Sequence, residues 1–302
     1  FIEEILGAKL FDAQAYGVAM SWATPYVLWV CSRGYGKSTL IDLVLMAKSM
    51  LYNNYISYIA AGSSEQSIQT FQTLIRLANQ AIESMTGLTN AFKEQVEVKN
   101  ASGDGFVRNP AGNYCTLYNG STIKTLNSNI DRRRGARANM VVFDETGWLS
   151  EEMLNVYAAF TIVNKDLKLG GDVDVNSIKT LPKEVANQLL YISSASSIDT
   201  PFYTKYRDFS KQMILGNKDY FVCEVNCDVI IDGTVGGKVY PASLLKRETV
   251  EAEMRANPEK AAREYYCRFS DGGNINSIIK RAWITRNSYT RPPVLFNDTN
   301  ER

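Results

Sequence analysis

An α/β fold with a mostly parallel central sheet is predicted by three features of the sequence. Apolar runs of strand length recur at residues 26–30, 55–61, 140–143 and 188–192. Residues 37–51 and 64–82 repeat apolar side chains at helical spacing, so strand and helix alternate as parallel crossovers require. The first strand–helix junction carries a glycine-containing turn, Cys31-Ser32-Arg33-Gly34-Tyr35-Gly36-Lys37-Ser38-Thr39. Such a turn can point its backbone N–H groups inward and set a helix N-terminus beneath an anion.

Composition narrows the classes. The chain has 302 residues, 45% hydrophobic and 22% charged, as a soluble globular protein of one large or two small domains would. Lys+Arg 33 against Asp+Glu 32 leaves a formal charge of +1, so any nucleic-acid contact must come from a local patch. No apolar run is long enough to cross a bilayer, because Lys, Asn or Asp interrupts each one. The start, Phe1-Ile2-Glu3-Glu4, is acidic, unlike a signal peptide; without an initiator Met it reads as an excised segment. Five scattered cysteines (31, 115, 223, 227 and 267) suit a reducing compartment, and neither Cys223 with Cys227 nor Asp172 with Asp174 makes a credible metal set. The absence of His removes Ser-His and Cys-His nucleophile schemes, so acid–base chemistry falls to carboxylates.

In chain order, residues 1–24 read as one or two short helices carrying Gln14, whose amide can both donate to and accept from an adenine edge. The apolar strand then enters the loop. Cys31 stands where the phosphate-loop pattern opens with Gly, while Gly36-Lys37-Ser38 is intact. Lys37 is expected to reach the β- and γ-phosphates and Ser38 to ligate Mg²⁺. Ser63 caps a long helix; short strands are predicted at 106–107 and 114–118, with Asn119-Gly120 turning into another at 122–126. The densest basic cluster, Asp131-Arg132-Arg133-Arg134-Gly135-Ala136-Arg137, precedes Met140-Val141-Val142-Phe143-Asp144-Glu145. A buried strand ending in Asp-Glu completes a nucleotide site: Asp144 for the metal shell, Glu145 as base for the attacking water. The triphosphate is expected to lie across the tips of neighbouring strands, with Lys37 at one and Glu145 at the other. Ser150 caps a further helix, 164–187 reads as an excursion, and the strand from 188 ends in Ser193-Ser194, beside the γ-phosphate. A helix over 201–215, a strand over 219–225, helices near 241–255 and 258–267, and a domain end at 270–274 complete the reading.

With these residues in place, the chain resembles the ATPase domain of the large terminase subunit, the genome-packaging motor of tailed double-stranded DNA phages. The likeness rests on Gln14, the Arg-bearing loop Ser32–Ser38, Arg134-Gly135 ahead of Asp144-Glu145, the Ser193-Ser194-Ala195 strand end, and Glu264-Tyr265-Tyr266-Cys267-Arg268-Phe269. It implies a P-loop NTPase fold of the ASCE/RecA-like kind, a central mostly parallel sheet flanked by helices. The implied organisation is an ATPase core over 1–200, a small C-terminal lid subdomain over 201–272, and a linker over 273–302 toward a nuclease domain that this chain does not hold. It implies ATP and Mg²⁺ as cofactors, with Gln14 on the adenine. Ser32, Arg33, Gly34, Tyr35, Gly36, Lys37, Ser38 and Thr39 (the Walker A loop) and Ser194 lie about the phosphates, with Ser38 and Asp144 on the metal. Glu145 and Lys37 are the implied catalytic pair, Asp144-Glu145 being the Walker B end. Arg134 is the implied arginine finger reaching a neighbouring subunit, with Arg133, Arg132 and Arg137 close behind and Arg33 its rival within the same subunit. The implied partners are double-stranded DNA, further copies in a ring on a capsid portal, and the small terminase subunit, in the host cytoplasm and without a membrane. Two other readings compete: a P-loop helicase, which needs a second α/β array not evident after residue 230, and a nucleotide-binding scaffold that has lost hydrolysis.

Overall fold

A near-continuous apolar run cannot leave either face wet, so residues of that kind belong in the middle of a sheet covered on both sides. In the computed structural model, which describes residues 1–79, 91–99, 103–108, 112–126, 136–162, 187–239, 245–271 and 286–288, this is where they lie. Helix α1 (Asp12–Ser21) leads into β1 (Tyr26–Cys31), and the loop after it opens α2 (Lys37–Leu51). Strand β2 (Ile56–Ala60) and α3 (Ser64–Ala78) follow, the helix capped by the Ser63 hydroxyl accepting from Gln66 N. A short α4 (Ala91–Gln95), unforeseen in the sequence, precedes three small strands: β3 (Phe106–Val107), β4 (Tyr114–Thr116) and β5 (Thr122–Thr125). Then come β6 (Met140–Phe143), α5 (Glu151–Ala158), β7 (Gln188–Ser193), α6 (Pro201–Ile214) and β8 (Tyr220–Val225).

These strands form one eight-stranded sheet in the order β3-β4-β5-β2-β6-β7-β1-β8. Pairing is parallel from β5 across to β8, and antiparallel only where β3, β4 and β5 meet around the Asn119-Gly120 turn. Alternation along β1 divides the core. Val27, Trp29 and Cys31 face α2 and α3, whereas Leu28 and Val30 face the layer containing Tyr157, Phe202 and Phe209. Across that second face the Phe143 and Tyr191 rings stack at 4.7 Å. Each such fully buried ring contributes about 1.5–3 kcal/mol.

Two expectations change. Strands β1 and β6 are not neighbours, because β7 lies between them and pairs in parallel with both. The lid expected to begin at 201 gives up α6 and β8: β8 hydrogen-bonds to β1 from Tyr26↔Tyr220 to Cys31↔Val225, so the core sheet extends to residue 225. The reason is that Phe221, Cys223 and Val225 alternate inward on a strand whose remaining free edge faces solvent.

Beyond β8 the chain forms α7 (Cys227–Ile231), a hairpin of β9 (Thr234–Val235) and β10 (Lys238–Val239), α8 (Arg247–Ala256) and α9 (Pro258–Glu264). The helix expected from 241 begins at Arg247; the one expected to 267 stops at Glu264, since Cys267 takes a positive φ of 55° as the chain doubles back. There the Cys267 thiol donates to Val225 O at 3.3 Å, and Ser270 bridges to Ser197. Residues 273–285 and 289–302, the expected linker, lie outside the described residues, as do 163–186. Among the described residues no helix is long and apolar enough to cross a membrane.

Candidate active site

At the C-terminal end of β1 the chain must turn sharply to start α2, and Gly34 (φ 89°) and Gly36 (φ 84°) supply the left-handed backbone that this needs. Ser32 N donates to Val225 O at 2.8 Å and Arg33 N to Glu264 O at 2.7 Å, fixing the loop to β8 and α9. The Tyr35 ring is buried edge-on against Trp29, its hydroxyl donating to Ala13 O at 3.1 Å. Cys31, the departure from the glycine pattern, is the last residue of β1; its backbone is extended and its thiol buried, so nothing there requires glycine. Lys37 folds back over the loop, donating from Nζ to Cys31 O at 2.9 Å and to Ser194 Oγ at 3.2 Å. The first N–H groups of α2 have no intrahelical acceptor and point at this same space.

Two strands away, β6 delivers the carboxylates. Asp144 is buried: Oδ2 accepts from Thr70 Oγ1 at 2.7 Å and Oδ1 from Glu145 N at 3.0 Å. Burial pushes its carboxyl up, opposed by the hydrogen bonds from Thr70 and Glu145 N, by Lys37, and by the Ser38 hydroxyl. Glu145 is a non-glycine residue with φ 51° and ψ 46°, an uncommon conformation for an L side chain. Its neighbours hold it there. Thr146 Oγ1 donates to Phe143 O at 2.8 Å and accepts from Ile192 N at 3.0 Å, while Gly147 N donates to Ser193 Oγ at 3.2 Å. The Glu145 carboxylate accepts from Ser193 Oγ at 3.4 Å; burial raises its pKa and the nearby Lys37 ammonium opposes that. Asp42, one turn beyond Ser38 on α2, is fully buried with neither oxygen hydrogen-bonded among the described residues; burial and then Asp144 push its carboxyl well up.

Lys37, Glu145, Ser194, Arg33, Arg263 and Glu264 border a cavity of about 780 Å³. A second, more apolar cavity of about 470 Å³ lies on the other side of the loop, against Gln14, Gly36, Thr39 and Leu40.

No protein-family model matches the sequence, and no curated protein does. Solved structures do. The large terminase of bacteriophage HK97 superposes with a TM-score of 0.58 at 14% identity over 87% of this chain and 51% of that one. The large terminase of a thermophilic bacteriophage, solved in complex with ADP, gives 0.55 at 14% identity over 86% and 53%. The large terminase ATPase domain of Thermus phage P74-26 gives 0.54 at 16% identity over 89% and 97%. The fold is that of the large-terminase ATPase domain. The chain spans about half the length of the HK97 protein and of the ADP-bound terminase, and nearly all of the P74-26 domain.

On this terminase-type P-loop fold, Arg33, Lys37, Ser38, Asp144, Glu145 and Ser194 converge at one edge of the sheet. Gln14 stands apart from them: its Oε1 accepts from Phe11 N at 3.0 Å and its Nε2 donates to Tyr35 O at 2.7 Å, so the amide binds α1 to the loop and borders the smaller cavity with Thr39. Tyr35 gives the site only its backbone. The Ser32 hydroxyl donates to Arg33 O at 2.9 Å, within the loop itself. Arg33 is largely exposed and pairs with Glu264 at 3.1 Å. Arg132, Arg133 and Arg134 lie outside the described residues; Arg137 is exposed ahead of β6, about 20 Å along the chain from that strand's Asp144-Glu145 end. Thr70 and Thr146 carry no sequence signal: Thr70 is one of several hydroxyl and amide residues on α3, and only the fold brings the two to Asp144 and β7. Glu264 belongs to the Glu264–Phe269 stretch of the resemblance, but nothing in that stretch announces its pairing with Arg33.

Proposed function

We propose that this chain is the ATP-hydrolysing motor domain of a large terminase, driving double-stranded DNA into a viral procapsid. One observation carries it: Lys37 and Glu145, from two separate strand ends, border one cavity, with Ser38 hydrogen-bonded to Asp144 close to Lys37, on a fold shared with terminase ATPase domains. In this reading the α2 N-terminus and Lys37 bind the β- and γ-phosphates of ATP, and Glu145 takes the proton from the attacking water. A desolvated carboxylate of raised pKa is suited to that transfer. Ser194, hydrogen-bonded to Lys37, couples the state of the phosphate to β7.

The donor set beside the loop suits a magnesium ion. Ser38 and Asp144 present hard oxygen atoms, and among the described residues no sulfur or imidazole cluster competes. When bound there, the ion would neutralise charge on the phosphate oxygens. Arg134 supplies a further positive charge from a neighbouring copy in a ring on the portal, with duplex DNA gripped through its phosphates and the small terminase subunit as a further partner. The thermophilic phage's terminase bound ADP in its crystals, which supports a nucleotide in this fold.

The test is Glu145→Gln. ATP should still bind while hydrolysis falls about 10²–10⁴-fold, measured as phosphate release. Turnover at the parent's rate would remove Glu145 from the role of base.

A further inference from the structure

The smaller cavity has a wall that the phosphate chemistry does not explain. Val235, from the β9–β10 hairpin, lines it together with Leu40 and Gln14. A two-stranded hairpin with two residues on each strand has no stability of its own. Among the described residues, one carboxylate gathers three hydrogen bonds from it. Asp12 Oδ2 accepts from Thr234 Oγ1 at 2.6 Å and from Gly237 N at 2.9 Å, and Oδ1 accepts from Gly236 N at 2.7 Å. Gly236 (φ 57°) and Gly237 (φ 74°) turn the two amides to the same side, a conformation that other residues would adopt only under strain. Gly233 packs against Phe11: a Cβ there would meet the ring at 3.1 Å. Phe11 borders the same cavity. Helix α1 thus presents Asp12 to the hairpin and Gln14 to the loop.

A ligand with its phosphates at Lys37 and Ser38 can extend past Gly36 and Thr39 into this space, where Phe11, Leu40 and Val235 offer apolar surface for a planar ring. We propose that the β9–β10 hairpin is the outer wall of a nucleobase pocket, and that Asp12 is the positioning residue that holds this wall against the base. The inference rests on the nucleoside-triphosphate reading above. Asp12 touches no phosphate and no reacting atom; it acts through Val235.

Calorimetric titration with ATP and, separately, with inorganic tripolyphosphate tests it, because tripolyphosphate has no base. For Asp12→Ala and for Val235→Ser the Kd for ATP should rise about tenfold while that for tripolyphosphate stays within about twofold. In steady-state assays Asp12→Ala should raise KM for ATP and leave kcat nearly unchanged. Thr234→Val, which removes one of the three hydrogen bonds, should fall between. Equal ATP affinity in both variants and the unaltered chain overturns the proposal. So does an unaltered chain that binds ATP no more tightly than tripolyphosphate, in which case phosphate binding at Lys37 still stands. Failure of the unaltered chain to bind either ligand would instead overturn the nucleotide reading.

Discussion

Glu145 concentrates the conflict between stability and chemistry in one residue. Its left-handed backbone costs about 1–2 kcal/mol for an L side chain, and its half-buried carboxylate lies close enough to Asp144 to feel its charge. Thr146 and Ser193 over-determine the turn that imposes this. Glu145→Gly should therefore unfold at higher urea than the parent, by about 1 kcal/mol, yet release no phosphate from ATP. A variant equally stable or less stable would mean that the turn is relaxed as it stands. The sequence named Glu145 from its place after a buried strand, but φ is a tertiary fact that no local pattern announced.

At the scale of elements, α2 does two jobs at its two ends. Its first turn faces the loop; its last turn buries Lys48, which donates to Trp22 O at 2.9 Å and to Gln188 Oε1 and lies 4.8 Å from the centre of the Trp22 ring. Gln188 in turn donates to Ser21 O at 2.8 Å and Thr24 O at 2.6 Å, so α1, α2 and β7 are joined beneath the sheet's N-terminal edge. Burial pulls the Lys48 ammonium from 10.5 down to about 7; the two carbonyl oxygens and the indole face beside it favour the charged form. Between pH 7 and 10.5 the unfolded chain then binds more protons than the folded one, so stability rises with pH across that window and is lost as pH falls through it. Urea unfolding should show this rise, at most about 1.4 kcal/mol per pH unit, and Lys48→Met should flatten it. An unchanged slope in the variant would mean that the carbonyl oxygens and indole face outweigh burial.

For the whole molecule, the proposed ring would make the arginines the groups through which copies cooperate. Arg33 borders the 780 Å³ cavity but is drawn to Glu264 of its own chain, and Arg137 stands at the far end of β6. The proposed role for Arg134 is to serve the nucleotide of a neighbouring copy. Specific ATPase activity should accordingly climb steeply with protein concentration, and Arg134→Ala should abolish the climb. A flat profile, with activity lost in Arg33→Ala instead, would assign the charge to Arg33 within one subunit.

Periodicity and turn chemistry were enough to find β1, α2, β2, α3, β6, β7, α6 and β8, because each is a long apolar pattern with its own cap or breaker. The same local signals marked Lys37, Ser38, Asp144, Glu145 and Ser194. They did not reveal that β7 separates β1 from β6, or that β8 belongs to the core sheet, since strand order depends on which buried faces match across long sequence separations. The short elements α4, α7 and the β9–β10 hairpin lack a strong pattern or turn signal of their own and could not be read alone. The hairpin's position is set by Asp12, through hydrogen bonds spanning more than two hundred residues of chain. The sequence by itself determined the fold class and the chemical groups; only tertiary packing decided their order in the sheet and what closes over them.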